Sequence, residues 1–195
     1  MSEMPVFGAG IWHFATYMDR YATEGYGPPV SFLEQIDKAG AVGDLSVVDL
    51  NWPFAGFDGT LDDVKAALDR NGLRAIAITP EIYNRDYVKG SITNPDPAVR
   101  TQALKLLNEA TELAKELGCD YVKLWFGQDG WDYPFQVDYH DIWKLAVDGL
   151  RELISPHPEI KFVIEYKPRE PRNKIIFPNA ARTLLAIQQV GLDNL

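Results

Sequence analysis

The chain has 195 residues and a formal net charge of −9, from 19 basic and 28 acidic side chains. The basic residues are scattered rather than clustered, which argues against a nucleic-acid partner. No apolar run reaches the roughly 20 residues of a membrane span, so no membrane partner is expected either. The amino terminus lacks the features of a secretory signal, and a single cysteine, Cys119, excludes an internal disulfide. Composition therefore indicates a globular cytoplasmic protein.

Apolar segments of strand length alternate with helical patterns five times along the chain. The predicted strands are VFGAGIWHF (6–14), LSVVDLNW (45–52), LRAIAIT (73–79), YVKLWFG (121–127) and KFVIEYK (161–167). Two capping boxes, each a hydroxyl followed three residues later by an acid, predict helix starts at Ser31 and Thr60. Three more helices are predicted from Asp96-Pro97 to Gly118, from about His140 to Ile154 and from Asn179 to Val190.

This alternation predicts an α/β fold with parallel strands and outer helices, either a doubly wound sheet or a (β/α)8 TIM barrel. Gly8 and Gly10 lie inside the first predicted strand rather than at a helix start, so the dinucleotide-binding fingerprint is not met and the barrel is favoured. Because a complete barrel takes about 250 residues, we expect residues 1–195 to form a single barrel-type domain with five of eight βα units, incomplete at its carboxyl end. The two open sheet edges then indicate a fragment, a split protein or an obligate oligomer, and a homo-oligomer is the assembly expected.

Polar side chains collect at the predicted carboxyl ends of the strands, where barrel active sites lie. Alternate strand residues share one face, which pairs Glu165 with Lys167, Lys123 with Trp125, and Asp49 with Asn51. Charges in such positions need partners, since burying them alone costs several kcal/mol each. Two interpretations follow: a polar site with a bound metal, or an ion-pair network in which Lys123 meets Asp49 or Glu165.

The segment EYKPREPR (165–172) resembles the fifth-strand signature E-P-K-P-N-E-P-R of xylose isomerase and its sugar-isomerase relatives. In that family the glutamate bridges two divalent cations, while the lysine hydrogen-bonds substrate oxygens and helps to polarise the carbonyl. The resemblance therefore implies that Glu165 is a metal ligand and Lys167 a catalytic residue. It also implies a divalent cation, Mg²⁺, Mn²⁺ or Co²⁺, as cofactor.

Further segments extend the resemblance. FGAGIWHF and YVKLWFGQDG are similar to the family's first and fourth strands, which implies that Trp12 and Trp125 wall a sugar pocket. The second strand departs from the family, because Asn51 lies where a histidine, with a nearby aspartate, assists opening of the sugar ring. We expect Asn51 and His13 to contact substrate, with Asp49 or His13 as substitutes for the missing histidine; the alternative for His13 is a hydrogen-bonded structural role.

The leading hypothesis is a divalent-metal-dependent aldose–ketose isomerase that acts on a small-molecule sugar. Carboxylates bind hard cations, an ammonium group steadies developing charge, and tryptophan walls exclude water. The alternatives are an epimerase or dehydratase of the same superfamily, a glycoside hydrolase with Asp49 or Glu81 as second carboxylate, and a non-catalytic barrel that acts by association. One carboxylate does not hold a divalent cation tightly, so the chain alone is expected to bind metal poorly.

Overall fold

A computed structural model of the protein describes residues 5–19 and 21–195. The first four residues, part of the segment in which no secretory signal is predicted, lie outside the described residues. Among the described residues, one sheet is formed by the parallel strands β1 (Gly8–Gly10), β2 (Val47–Trp52), β3 (Arg74–Pro80), β4 (Tyr121–Leu124) and β6 (Lys161–Ile164). Their order in the sheet is β1-β2-β3-β4-β6, which confirms the predicted parallel α/β architecture. A short antiparallel pair, β5 (Gly130–Trp131) and β7 (Lys174–Ile175), was not predicted.

Five α-helices follow the strands, as predicted. Both predicted capping boxes are present, with the Ser31 hydroxyl accepting from the Glu34 amide and the Thr60 hydroxyl from the Asp63 amide. The helices are α1 (Phe32–Gly40), α2 (Leu61–Arg70), α3 (Pro97–Glu116), α4 (Tyr139–Ile154) and α5 (Ala180–Val190). None of them, within the described ranges, is long and apolar enough to cross a membrane.

The hydrophobic core lies between the sheet and the helices. On β2, the alternate residues Val48 and Leu50 are fully buried in this core, together with Ile36 of α1 and Leu107 of α3. Asp49 lies between Val48 and Leu50, so strand alternation points its side chain to the opposite, inner face of the sheet. Burial of the apolar set therefore fixes the register that places the polar set on the inner face.

The first predicted strand is too long. β1 ends at Gly10, and Ile11–Phe14 form a 3₁₀ helix rather than further strand. The Trp12 ring folds back over Gly10, where a Cβ atom would lie only 2.1 Å from the ring. The prediction is wrong here because a glycine at this position lets the following residues turn back across the strand end, a contact that strand periodicity does not show.

The fourth and fifth strands of the sheet are also shorter than predicted. Trp125 follows β4, and Glu165 and Lys167 follow β6. The extended backbone continues briefly, since the Glu165 amide donates to the Leu124 carbonyl at 2.9 Å and the Lys167 amide donates to the Phe177 carbonyl at 3.1 Å. Trp125, Glu165 and Lys167 therefore keep strand-like alternation, although they lie in the loops that follow the carboxyl ends of β4 and β6.

Candidate active site at the strand ends

A cavity of about 410 Å³ opens at the carboxyl ends of β2, β3, β4 and β6. Three aromatic residues line it, Trp12, Tyr83 and Trp125, together with six polar residues that are described below. Its volume falls within the range of about 300–1,000 Å³ that is common for small-molecule sites. A larger cavity of about 630 Å³, between Phe54, Phe57 and the outer side of α3, shares none of these residues and lies away from the strand-end polar groups.

The aromatic residues form two sides of the cavity. Tyr83 and Trp125 pack together, with ring centroids 4.6 Å apart and an interplanar angle of 56°. Trp12 stands at the mouth and is 40% exposed. Trp12 and Trp125, both predicted to wall a pocket, are thus brought to one cavity from the ends of β1 and β4. Aromatic faces of this kind present apolar surface to the C–H side of a small polyol and keep water away from it.

Lys123 lies between two carboxylates at the base of the cavity. Its Nζ is 2.8 Å from Asp49 Oδ2 and 3.3 Å from Glu165 Oε2. Asp49 also accepts a hydrogen bond of 2.7 Å from the Thr79 hydroxyl. Burial opposes the charge on Lys123, but the hydrogen bond and charge of Asp49, with those of Glu165, outweigh it and raise the lysine pKa. The predicted ion-pair network is therefore present, at the same strand ends as the cavity.

Glu165 and Lys167 both line the cavity, as their spacing in the sequence predicts. Lys167 Nζ lies 5.4 Å from the Trp125 ring centroid and 2.9 Å from Glu170 Oε2. The side chain of Glu165 is 46% exposed, whereas that of Asp49 is only 11% exposed. Glu165 is thus the more accessible of the two carboxylates that contact Lys123, and Lys167 is an ammonium group held beside an aromatic wall.

Asn51 lies in the cavity lining, whereas His13 lies outside it. Asn51 lines the cavity and its amide donates a 2.9 Å hydrogen bond to the Tyr83 hydroxyl. Burial, with the nearby charges of Glu81 and Asp49, raises the pKa of Tyr83, so its hydroxyl remains protonated. His13 is exposed and outside the cavity lining; its Nδ1 lies 3.0 Å from the Gly10 carbonyl and its ring centroid 5.5 Å from that of Trp12. This geometry is that of the alternative given for His13, a structural histidine held by a hydrogen bond.

The sequence analysis did not assign Thr79 or Tyr83 to the site. With Glu81, these residues alternate along the end of β3 and the residues after it, and all three line the cavity. The same period-two rule that pairs Glu165 with Lys167 would have found them, because it applies equally to the third strand. Glu81 was considered only as the second carboxylate of a glycoside hydrolase.

Two polar anchors fix the loops around the cavity. Asp129, fully buried, accepts hydrogen bonds from the amides and hydroxyls of Ser91 and Thr93. Arg172, in the loop after Lys167, donates to the carbonyls of Val88 and Gln128 and pairs with Asp132. The first anchor joins the loops after β3 and β4, and the second joins both to the loop after β6. The loop that carries Glu165 and Lys167 is therefore held by contacts with two neighbouring loops.

The chemistry of the donor set tests whether this site can hold a divalent cation. Within residues 5–19 and 21–195, no group of three or more His, Cys, Asp or Glu side chains lies close enough to bind a metal ion. Glu165 also has the Lys123 ammonium group 3.3 Å away, where a second cation would be repelled. Because hard divalent cations usually take six or more oxygen ligands, the described residues do not form a complete metal site.

Parallel strands with outer helices, and a cavity of polar and aromatic residues at their carboxyl ends, define the chain as a barrel-type α/β protein with a candidate small-molecule site. A sequence comparison identifies the family. The xylose isomerase-like TIM barrel family matches residues 41–195, which is most of the chain, and the protein belongs to this family. The resemblance inferred from the strand-end motifs is thereby confirmed.

Individual relatives agree with this assignment. Xylose isomerase of Thermus thermophilus is 27% identical over 168 residues, covering 82% of this chain and 43% of that relative. The structure of an L-ribulose 3-epimerase superposes with a TM-score of 0.71 at 18% identity, covering 98% of this chain and 59% of that one. A xylose isomerase-like protein from Mycobacterium smegmatis in complex with magnesium gives a TM-score of 0.64 at 17% identity, covering 98% and 63%. The chain thus spans about two fifths of the curated relative and three fifths of the solved structures.

Proposed function

We propose that the protein acts on a sugar as an aldose–ketose isomerase or as an epimerase of the same superfamily. The observation that carries the proposal is the Glu165–Lys167 pair at the mouth of a cavity walled by Trp12 and Trp125. Both reactions rearrange hydrogen at carbons next to a carbonyl, and they need hydroxyl oxygens held in place while water is excluded. The relatives that match the chain include one enzyme of each kind.

The charge balance of the cavity supports a neutral sugar rather than a sugar phosphate. Both cavity lysines have acid partners: Lys123 contacts Asp49 and Glu165, and Lys167 contacts Glu170. Phosphate recognition usually needs arginine, an unpaired ammonium group or a set of free backbone amides. The lining is instead aromatic, hydroxyl, amide and paired charge, a set that suits the C–H faces and hydroxyl groups of an uncharged sugar.

Individual residues take distinct roles in this proposal. Lys167 donates hydrogen bonds to a sugar oxygen beside Trp125, where its positive charge stabilises negative charge that develops on that oxygen. Asn51 and Tyr83 present an amide and a hydroxyl to the remaining sugar hydroxyls. Glu165 offers one carboxylate ligand to a divalent cation, Mg²⁺, Mn²⁺ or Co²⁺. Carboxylate ligands are the kind that these hard cations take.

The test is turnover of an aldose and ketose panel, with products separated by chromatography. Because a single carboxylate binds a divalent cation weakly, we expect activity that requires Mn²⁺ in excess and that EDTA removes. Glu165→Gln and Lys167→Met should each lower this activity by about 10²–10³-fold, typical of removing one group that stabilises the transition state. Glu152→Gln, an exposed substitution on α4, is the matched control. Products distinguish the two reactions, since isomerisation converts aldose to ketose and epimerisation converts one ketose to another. Turnover that is indifferent to EDTA and to Glu165→Gln contradicts the proposal.

A further inference from the structure

Glu81 is an acid in the cavity that the roles proposed above do not use. It follows β3 directly and lines the cavity with Asn51, Tyr83 and Trp125. Within residues 5–19 and 21–195 its carboxyl group makes no hydrogen bond and no ion pair. Its backbone is nevertheless held on both sides, because its amide donates to the Trp52 carbonyl at 2.7 Å and its carbonyl accepts from the Asn84 amide at 3.4 Å.

The other titratable groups of the site are all occupied. Asp49 and Glu165 contact Lys123, and Lys167 contacts Glu170. The Tyr83 hydroxyl accepts from Asn51, and its raised pKa keeps it protonated. Glu81 is thus the one carboxyl group lining the cavity that lacks a partner in the described structure. An acid that has a held backbone and a partly buried side chain without partners is available to exchange a proton with a ligand.

The environment of Glu81 also favours proton exchange. Burial alone raises the pKa of its carboxyl group, and no cation of the cavity pairs with it to lower that pKa. A carboxylate whose pKa is raised is a stronger base, so it takes up a proton from a hydroxyl group more readily before returning it. Raised carboxyl pKa values beside aromatic walls are a recurring arrangement for acid–base work on sugars.

We propose that Glu81 opens the rings of aldoses in this cavity and so catalyses the interconversion of their anomers, independently of any metal ion. The Glu81 carboxylate takes the proton of the anomeric hydroxyl as the bond between C1 and the ring oxygen breaks and the C1 carbonyl forms. The ring oxygen leaves with the electron pair of the broken bond and receives the same proton from Glu81. The net change is the transfer of one proton from the anomeric oxygen to the ring oxygen, with Glu81 regenerated.

This activity supplies what the proposed isomerisation needs, because aldoses exist mainly as rings and hydrogen can be rearranged only in the open chain. It also supplies the ring-opening step for which the second strand carries Asn51 in place of the family's histidine. Asn51 cannot carry a proton between sugar atoms, but it donates a hydrogen bond to the Tyr83 hydroxyl, and both residues line the same cavity as Glu81. The inference rests on the proposed function only for its substrate class, a sugar.

The experiment measures anomer exchange directly. Exchange between the α and β anomeric protons of D-xylose is followed by magnetisation-transfer NMR in the presence of EDTA, with wild type, Glu81→Gln, Glu81→Asp and Glu152→Gln compared with buffer alone. We expect exchange above the buffer rate in wild type and in Glu152→Gln. In Glu81→Gln the enzymatic part should fall by about 10²-fold or more, the effect of removing a general acid–base group. Glu81→Asp keeps the carboxyl group and should retain part of the rate.

The inference is overturned by a wild-type exchange rate equal to that of buffer, or by a Glu81→Gln rate equal to wild type in a variant with a wild-type circular-dichroism spectrum. The proposed function fails separately. Anomer exchange in EDTA without any isomer or epimer on adding Mn²⁺ supports the role of Glu81 and contradicts the proposed function. Isomer formation that Glu81→Gln does not slow, for a sugar supplied as the ring form, contradicts the role of Glu81 alone.

Discussion

Asp129 gives the sharpest test of how the loops around the cavity are held. Its Oδ1 accepts from the amides of Ser91 and Thr93, both at 2.9 Å, and from the Thr93 hydroxyl at 2.6 Å; its Oδ2 accepts from the Ser91 hydroxyl at 2.6 Å. Asp129→Ala leaves two buried amides without an acceptor, at about 1–3 kcal/mol each. Removal of a buried charge offsets part of this loss, so we expect a decrease of about 3 kcal/mol in the free energy of unfolding.

Asp129→Asn is the matched comparison, because it retains an oxygen that can occupy the Oδ1 position and accept three of the four hydrogen bonds. Its amide group can donate to the Ser91 hydroxyl in place of accepting from it, so we expect a loss of about 1 kcal/mol. Urea unfolding followed by tryptophan fluorescence measures both variants. With a slope of about 1–3 kcal/mol per molar urea, the alanine variant should lower the midpoint by about 1–3 M. The assignment of the four hydrogen bonds as the anchor would be refuted if the free energy of unfolding fell equally in the two variants, or if it fell by less than about 1 kcal/mol in Asp129→Ala.

Three further predictions concern other elements. Lys123→Met leaves the buried Asp49 with only its hydrogen bond from Thr79. The free energy of unfolding should fall by about 2 kcal/mol, which is less than the loss on breaking a fully buried ion pair. Greater thermal stability in the variant would contradict this prediction. Burial, then the charge of Lys115, lowers the pKa of His157 below its ordinary value of 6.5. As the pH falls, the unfolded chain therefore takes up a proton on His157 before the folded chain does. The contribution of neutral His157 to the free energy of unfolding is full above pH 6.5 and is lost as the pH falls from 6.5 through the lower folded pKa. Urea titrations over that range should show that the free energy of unfolding changes less with pH in His157→Gln than in wild type. Ser31→Ala removes the capping hydroxyl of α1 and should lower the free energy of unfolding by about 1 kcal/mol, measured against the exposed Ser155→Ala.

Elements of the fold that depend on local signals were predictable from the sequence. The starts of α1 and α2 follow from their capping boxes, and the start of α3 follows from Asp96 and Pro97. Strand–helix alternation predicts the parallel strands, and the unmet dinucleotide-binding fingerprint favours the barrel, whose sequential strand order the five-stranded sheet of the described residues has. The extent of β1 was not predictable in this way, because the Trp12 ring ends the strand by folding onto Gly10.

Contacts between distant loops were not predictable either. Arg172 donates to the carbonyl of Val88, 84 residues earlier in the chain, and β5 pairs with β7 across more than 40 residues. Every residue has a backbone carbonyl, so the amino-acid sequence does not indicate which carbonyl will accept a hydrogen bond from a distant side chain. Within the site, period-two alternation indicated Glu165, Lys167 and Trp125 correctly as residues of one cavity. It did not show that Glu81 alone among the carboxyl groups of the lining would lack a partner in the described residues.

The two interpretations of the strand-end charges are compatible because the two carboxylates beside Lys123 are not equivalent. Asp49 has the shorter contact, 2.8 Å against 3.3 Å, is additionally bound by Thr79, and is nearly buried. Glu165 is almost half exposed, at the rim beyond β6, with the longer contact. A ligand that needs a carboxylate can therefore recruit Glu165 while Asp49 continues to neutralise Lys123. The ion pair of Lys123 with Asp49 is then the structural part of the network, and Glu165 is its more exposed part, which we propose for function.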